Sequence, residues 1–315
     1  MGQDEEVASS ASGPGWVKVY LVDGTYELFR HYFGAPPHEN NAGEEVGATR
    51  AVLGSLLGML ESGATHIGVA TDHVIESFRN AMWGSYKSSA GVPANLLAQF
   101  GLLEEALEAM GVVVWPMTEL EADDALASAA AVISEDQRAE HVLICTPDKD
   151  LGQCVRGERV VCLDRRKGMV IDEVAVRARF GVGPPSVPDW LALVGDSSDG
   201  YPGLPGWGPK AASAVLAQYG SIEAVPRGPR AKWAVKLPPS RVDALREVLR
   251  EAFEAALLFK KLATLVVERD ILPPSPAALD SLSWRGPAAE LKELCRRLDA
   301  PSLLRRAEEL AAQRA

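Results

Sequence analysis

The stretch Leu120-Glu121-Ala122-Asp123-Asp124 carries three carboxylates within four residues. It lies between an apolar run, residues 112–115, and an alanine-rich segment, residues 125–133. Acids in the first turn of a helix are favoured by the helix dipole and bind its free N–H groups, so one or two acids need no further role. A third acid leaves like charges close together, which is costly unless a positive charge lies between them. The stretch is therefore compatible with a helix cap and with a metal site.

Short apolar runs alternate with helical patterns along the first half of the chain. The predicted strands are 17–22, 66–70, 112–115 and 141–145, and the predicted helices are 46–61, 96–110 and 125–133. Two shorter runs, 160–163 and 169–171, predict a hairpin. Strands that alternate with helices of this length are typical of a parallel sheet covered on both faces, which predicts the α/β class.

Acidic residues come just after each of the main predicted strands. They are Asp23, Asp72, the stretch 121–124, and the pair Asp148 and Asp150. Because the carboxyl ends of parallel strands meet at one edge of a sheet, we expect these acids to lie in one crevice. Helix capping does not explain the whole set. Carboxylates without His or Cys are typical ligands of Mg²⁺ or Mn²⁺, so the sequence predicts a divalent-metal site.

Two more acids, Asp196 and Asp199, precede a turn rich in glycine and proline, residues 202–210. A helical run, 211–219, follows. A Gly-x-Gly turn that enters a helix exposes N–H groups that can bind a phosphate, and Lys210 would add a positive charge. As a lone pattern the turn merely joins two helices. Because an acidic loop precedes it in this sequence, the turn indicates a helix-hairpin-helix that binds a nucleic-acid backbone.

The composition limits the cellular setting and the partners. The chain has 315 residues, of which 47% are hydrophobic, and no apolar run reaches the ~20 residues of a membrane span. Residues 1–15 resemble a loose, disordered tail rather than a secretory signal, and no cysteine lies in a Cys-x-x-Cys pair. A reduced, cytoplasmic protein without a membrane partner is expected. The net charge of −11 argues against nucleic acid at first, although the site acids supply most of it.

Several motifs together resemble those of the structure-specific 5′ nucleases, or flap endonucleases. They are Leu21-Val22-Asp23-Gly24, Glu121-Ala122-Asp123-Asp124, Asp148-Lys149-Asp150 and Gly195-Asp196-Ser197-Ser198-Asp199, and residues 202–210 resemble that family's helix-hairpin-helix. The similarity runs from about residue 16 to about residue 306 and is greatest to the 5′-3′ exonuclease domain of bacterial DNA polymerase I. Since no polymerase domain follows, a stand-alone nuclease is expected.

The resemblance implies a PIN-like catalytic domain with a mainly parallel sheet at 16–190, a helical arch near 78–100, and a helix-hairpin-helix with a C-terminal helical region at 191–315. It implies two Mg²⁺ or Mn²⁺ ions per site, which hydrolyse DNA at 5′ ends, nicks or flaps during replication or repair. It also implies K⁺ at the hairpin, a monomer, and a DNA polymerase that acts in trans.

Residue roles carry over by motif. The implied metal ligands are Asp23, Asp72, Glu121, Asp123, Asp124, Asp148, Asp150, Asp196 and Asp199. The first ion would lie nearer Asp23, Asp72, Glu121 and Asp123, and the second nearer Asp148, Asp150, Asp196 and Asp199. The implied catalytic residues are Lys87 at the scissile phosphate, Tyr86 stacked on a base, and Arg30 and Arg79 on phosphates. The implied DNA-binding residues are Gly203, Gly206, Gly208 and Lys210.

Some residues depart from the family pattern. Ala90 stands where an arch arginine is usual, Pro147 where Gly or Ala is usual, and Gly200 where Asn is usual. Without the resemblance, Tyr86 would be interpreted as a core tyrosine, and Arg30 and Arg79 as surface charges. Two alternative functions stay open, namely a PIN-type ribonuclease and a DNA-junction binder without catalysis.

The C-terminal part is less informative. The patterns predict a helix at 241–263, a closing strand at 265–267, a linker at 272–276, and one or two helices at 291–310. Basic residues that could face DNA are Lys210 and the run Arg227, Arg230, Lys232 and Lys236.

Overall fold

The computed structural model describes residues 16–228, 230–273 and 276–315. One six-stranded sheet has the order β3-β2-β1-β4-β5-β6. Its strands are β1 Val17–Asp23, β2 His66–Asp72, β3 Val113–Met117, β4 Ala139–Cys145, β5 Val160–Asp164 and β6 Met169–Ile171. The first five strands are parallel, and β6 is antiparallel to β5. The predicted α/β class, the parallel sheet and the terminal hairpin are confirmed.

Helices cover both faces of the sheet and continue beyond it. They are α1 Gly24–Gly34, α2 Gly47–Glu61, α3 Phe78–Met82, α4 Ala94–Ala109, α5 Ala122–Ile133, α6 Glu173–Phe180, α7 Val187–Val194, α8 Pro209–Tyr219, α9 Pro239–Glu251, α10 Phe253–Ala263, α11 Ala277–Ser281, α12 Leu291–Arg297 and α13 Pro301–Arg314. The predicted helices of the first half match α2, α4 and α5. In the region 78–100, the short helix α3 is followed by a loop, 83–93, and by the start of α4.

The central strand β1 shows why helices cover both faces of the sheet. Val19 and Leu21 lie in a core that includes residues of α5 and α7, and Val22 lies in a second core that includes residues of α2 and α4. Because successive side chains of a strand point to opposite faces, an apolar central strand needs a layer of helices on each side.

Two predictions for the C-terminal part are wrong. The helix predicted at 241–263 is two helices, α9 and α10, because Ala252 leaves the helical conformation at φ −104° and ψ 25°. Residues 265–267 are not a strand. The N–H groups of Leu265 and Val266 donate to the side chains of Gln153 and Asp124, at 3.0 and 2.8 Å, rather than to a neighbouring strand.

The predicted tail, 1–15, lies outside the described residues, as do residues 274 and 275 of the predicted linker. The terminal helices predicted at 291–310 correspond to α12 and α13. Among the described residues, no helix combines the length and the apolar character that crossing a bilayer requires.

Candidate active site

The acids predicted from the strand ends do meet at one edge of the sheet. Asp23 and Asp72 are the last residues of the neighbouring strands β1 and β2, and Glu121 lies at the start of α5, after β3. An Asp72 oxygen accepts the N–H of Ala122 at 2.8 Å, which connects the end of β2 to the acidic stretch. An Asp23 oxygen accepts the hydroxyl of Thr146, after β4, at 2.9 Å. Adjacent strands therefore deliver the acids to one place.

Three acids from two later segments form a close group. Ligand oxygens of Asp150, Asp196 and Asp199 lie within 4.8 Å of one another. Asp150 is buried, and its Oδ1 has no hydrogen-bond partner among the described residues. A buried carboxylate oxygen without a donor is unfavourable on its own and suits a hard cation. The residues present therefore fit a divalent metal ion.

The pKa values of the site acids are raised by burial first and by the charges of neighbouring acids second. Burial raises the pKa of Asp23 to about 7, with help from the charges of Asp72 and Asp148. Burial likewise raises the pKa of Asp199 to about 6, opposed by Lys87 and helped by other acids. The pKa values of Asp72, Asp123 and Asp150 are also raised, mainly by burial. A bound cation would offset both causes, burial and repulsion.

Glu121 has a different environment from these acids. One oxygen accepts hydrogen bonds from the Ser77 hydroxyl at 2.7 Å and from Arg79 at 2.9 Å. The other lies 2.5 Å from the Lys87 ammonium and 3.4 Å from the Tyr86 hydroxyl. Burial acts to raise its pKa, but Lys87 and Arg79 outweigh burial and lower it. Glu121 is therefore an ionised partner for cations of the chain.

Asp124 and Arg79 have a different role from the one that the sequence suggested. Both are fully buried, and the two guanidinium ends of Arg79 donate to the two Asp124 oxygens at 2.7 and 2.8 Å. The same oxygens also accept the N–H groups of Glu121 and Val266. Asp124 has no oxygen left to face a metal ion, and Arg79 is not available to a phosphate. The pair is a buried structural link, which corrects both predictions.

Arg30 and Tyr86 also have partners within the chain. Arg30 donates to Glu27 at 2.5 Å, and Glu27 is 1% exposed. The Tyr86 ring is 5% exposed and lies in the core, so in this conformation it cannot stack on a base. The interpretation of Tyr86 as a core residue agrees with the structure, and the burial of Glu27 was not predicted.

Lys149 is a site residue for which the sequence predicted no role. Its ammonium pairs with Asp196 and lies 4.0 Å from Asp150. Its position between two site acids, Asp148 and Asp150, was the available signal.

The glycine-rich hairpin connects α7 to α8, as predicted. Gly208 is the residue before α8, and a side chain added there would meet no atom within 4 Å. Gly203 has a positive φ of 68°, and a Cβ there would lie 2.4 Å from the Gly195 nitrogen. Only glycine fits that approach. Lys210 is exposed in the first turn of α8. The backbone at the start of α8 is therefore open to a ligand, and its binding of DNA stays a prediction.

Two family models match consecutive parts of the chain. One is the 5′-3′ exonuclease, N-terminal resolvase-like domain, at residues 18–181, which contain the sheet. The other is the 5′-3′ exonuclease, C-terminal SAM fold, at residues 182–290, which contain the hairpin.

Sequence relatives cover most of the chain. A 5′-3′ exonuclease from Aquifex aeolicus (strain VF5) is 30% identical over 283 residues, which are 89% of this chain and 95% of that protein. A DNA polymerase I from Bacillus caldotenax is 31% identical over 274 residues, which are 85% of this chain but 30% of the polymerase. The chain thus spans nearly the whole length of the exonuclease and less than a third of the polymerase.

Solved structures share the fold at lower identity. A flap endonuclease of bacteriophage T5, in a pseudo-enzyme–product complex with DNA and metal ions, is 18% identical with a TM-score of 0.61, over 90% of this chain and 99% of that chain. The catalytic core of Rad2 in complex with DNA substrate is 15% identical with a TM-score of 0.61, over 95% and 93%. The two solved structures show the shared fold, and the matches to the two exonuclease domains and to the Aquifex exonuclease show that the chain belongs to the 5′-3′ exonuclease family.

Proposed function

We propose that the protein is a divalent-metal-dependent nuclease that hydrolyses phosphodiester bonds of DNA at 5′ ends, nicks or flaps. The observation that carries the proposal is the buried group of carboxylates at the sheet edge, in which one Asp150 oxygen has no hydrogen-bond partner among the described residues. The name of the Aquifex relative and the DNA and metal ions in the T5 complex support the same activity.

The residues that would hold the metal ions fall into two groups. Asp150, Asp196 and Asp199 form the first group, with their ligand oxygens within 4.8 Å. Asp23, Asp72 and Asp123 form the second, and Asp148 belongs to both groups, since its charge acts on Asp123 and on Asp150. Oxygen ligands alone favour Mg²⁺ or Mn²⁺. Two such ions would supply a hydroxide near neutral pH and neutralise charge on the phosphate.

Lys87 is the cation of the chain that fits the scissile phosphate. Its side chain is 27% exposed, so it lies at the rim of the acidic group rather than in the core. Burial acts to lower its pKa, but Glu121, Asp72 and Asp123 raise the pKa well above its usual range, so the ammonium keeps its charge. An ammonium fixed at this rim would stabilise negative charge that develops on a phosphate.

The same proposal covers the oligomeric state of the protein, its cellular process and its location. The protein acts as a monomer in DNA replication or repair, with a polymerase working in trans, and the four unpaired cysteines suit a cytoplasmic location. K⁺ would bind carbonyl groups of the hairpin. The Gly206 carbonyl already accepts a hydrogen bond from Arg241.

The test is cleavage of a 5′-end-labelled flap duplex with Mg²⁺ by the wild type, by Asp148→Ala and by Glu108→Ala. Asp148 lies in the acidic group, whereas Glu108 is an exposed residue of α4 on another surface. We expect cutting at the flap junction by the wild type and by Glu108→Ala, and a loss of at least about 100-fold in Asp148→Ala.

Single-stranded RNA and a binding assay complete this test. Faster cleavage of the RNA than of the flap duplex would favour the PIN-type ribonuclease. Tight binding of the flap without cleavage in Mg²⁺ or Mn²⁺ would favour the junction binder. Equal cleavage by wild type and Asp148→Ala would show that the acidic group is not the active site.

A further inference from the structure

A basic groove of about 500 Å³ lies on the C-terminal helical region. Its wall consists of the segment between α8 and α9 together with the first turns of α9. The groove is lined by charged and apolar side chains, among them Arg230, Lys232, Trp233, Val242, Asp243 and Arg246. The sequence indicated that Arg230 and Lys232 could face DNA, but not that they share a groove with Trp233.

The groove is joined directly to the glycine-rich hairpin. The ring of Trp233 packs on Trp207 of the hairpin, with ring centroids 6.0 Å apart. Arg241, in the first turn of α9, donates a hydrogen bond to the carbonyl of Gly206. These two contacts connect the groove and the hairpin, so a ligand that follows the hairpin backbone reaches the groove next.

Of the groove cations, Arg246 pairs with Asp243, whereas Arg230 and Lys232 have no acidic partner among the described residues. Arg230, Lys232 and the neighbouring Lys236 are exposed, and in the described ranges no carboxylate oxygen lies within 4.0 Å of their charged groups. Arg250 and Arg296, by contrast, pair with Glu247 and Glu293 on their own helices. The unpaired positive charges at the groove repel each other, although the chain as a whole has a net charge of −11. An anionic partner would relieve this repulsion.

The floor of the groove shows which part of a nucleic acid could bind. Trp233 is 8% exposed, and its indole N–H donates to the Pro226 carbonyl at 2.8 Å. Arg246 donates to the Ala231 carbonyl at 2.8 Å and to Asp243 at 2.7 Å. The ring is thus not free to stack on a base, and the charged ends of Arg230 and Lys232 are exposed at the groove beside the apolar Val235, Leu237 and Pro239. Such a surface fits phosphates and carries no means of reading a base sequence.

Arg227, which the sequence grouped with these cations, lies elsewhere. Its guanidinium stacks on the Phe253 ring, 3.3 Å from the centroid, and its Nη1 is buried. It therefore supports the packing of α10 and does not belong to the groove.

We propose that the basic groove binds the phosphate backbone of a DNA duplex arm beyond the stretch held by the hairpin, without sequence preference. The proposal rests on the proposed function, because it takes DNA as the ligand. It extends that function by assigning a second DNA-binding surface, built from Arg230 and Lys232, that acts on affinity and not on the chemical step.

The test compares the double variant Arg230→Ala/Lys232→Ala with the double variant Arg285→Ala/Lys292→Ala. The second pair removes the same charges from exposed positions outside the groove. Binding of a fluorescent flap duplex is measured by anisotropy in EDTA at increasing KCl. We expect the groove variant to bind several-fold more weakly at low salt, with the slope of log Kd against log [KCl] reduced by about 0.9 for each lost phosphate contact. Its kcat at saturating substrate should equal that of the wild type.

The outcomes separate this proposal from the nuclease proposal. If the groove variant keeps the affinity and the salt slope of the control pair, the groove does not bind DNA, whatever the Asp148→Ala result. If wild type and Asp148→Ala cleave equally, the nuclease proposal fails even where the groove variant binds weakly. A kcat that falls in the groove variant, at an unchanged Tm, would contradict a role limited to affinity.

Discussion

At the scale of single residues, neighbouring acids of one helix have opposite surroundings. Asp123 is half-buried near Asp148 and Asp23, and removal from water together with these charges raises its pKa well above the usual range. Asp124, the next residue, has both oxygens bonded to Arg79. Since one residue turns an α-helix by about 100°, adjacent acids face different parts of the molecule. The short motif contains both a site acid and a structural acid.

The Arg79 pair leads to a stability prediction. Replacing Arg79 by Met leaves the buried Asp124 and Glu121 without a cation, so we expect the free energy of unfolding to fall by about 3–5 kcal/mol. Urea denaturation measures it. Arg306→Met is the matched control, because Arg306 pairs with Glu61 at the surface and its loss should change stability by less than about 1 kcal/mol. An equal decrease in the free energy of unfolding in the two variants would show that the buried pair stabilises the fold no more than the surface pair does.

The raised pKa values of the site acids lead to a prediction about metal and pH. Asp23 has a pKa of about 7 in the folded chain against an ordinary value of 3.8, and Asp199 a pKa of about 6. The folded protein therefore binds these protons more tightly than the unfolded chain does. Their contribution to metal-free stability is present below pH ~4 and is lost as the pH rises towards ~7.

Metal ions bind the deprotonated form of carboxylates, so the affinity of the proposed site for Mg²⁺ should rise over the same pH window and binding should release protons. We expect saturating Mg²⁺ to raise Tm more at about pH 7.5 than at about pH 5.5. Calorimetric titration in two buffers with different ionisation enthalpies counts the protons, and Asp23→Asn should release fewer. A Tm increase that does not depend on pH would contradict the prediction.

At the scale of elements, the loop that carries Lys87 is docked on the acidic turn that carries Asp199. The N–H of Lys87 donates to the Asp199 carbonyl at 3.2 Å, and the indole N–H of Trp83 donates to the Gly200 carbonyl at 2.9 Å. A Cβ on Gly200 would lie 2.0 Å from the Ser85 carbonyl oxygen. Gly200 stands where the family usually has Asn, and here it permits the close approach of the loop.

This docking predicts that Gly200→Ala lowers activity by displacing Lys87. Since a shift of about 1 Å in a catalytic group can cost about 100-fold, we expect kcat to fall at least tenfold with little change in Kd for DNA. Gly220→Ala is the control, because Gly220 has φ 82° against 81° for Gly200, while a Cβ there meets nothing within 4 Å. A similar kcat in both variants would show that the docking does not position Lys87.

The same elements show what the sequence could predict. Apolar runs locate the strands, and the rule for parallel sheets brings Asp23 and Asp72 together, so the sheet edge at which the acids gather was predictable. The irregular segment 265–267 was not, because its N–H groups bond to Gln153 and Asp124, which are far away in the sequence. Likewise, nothing local to Arg79 shows that distant carbonyls and Asp124 surround its guanidinium.

At the scale of the whole molecule, the two parts that match the family models share one hydrophobic core and one network of hydrogen bonds. The first core contains residues of β1 and α5 from the part 18–181, and of α7 and α10 from the part 182–290. Arg79 donates to the carbonyls of Leu262 at 2.9 Å and Thr264 at 3.1 Å, across the boundary. The site acid Glu121 is thus held by a residue that also bonds to two carbonyls of the second part.

We therefore predict that a chain limited to residues 16–181 does not fold to a stable state, although it contains the whole sheet. It would expose the apolar face of α5 to water, and Arg79 would lose two of its acceptors. Near-ultraviolet circular dichroism and thermal unfolding test this, with residues 16–315 as the control. The longer chain should unfold in one cooperative transition. A cooperative transition of the short chain at a Tm close to that of the control would show instead that the catalytic part is independent, and that the second part adds binding surfaces without supporting the site.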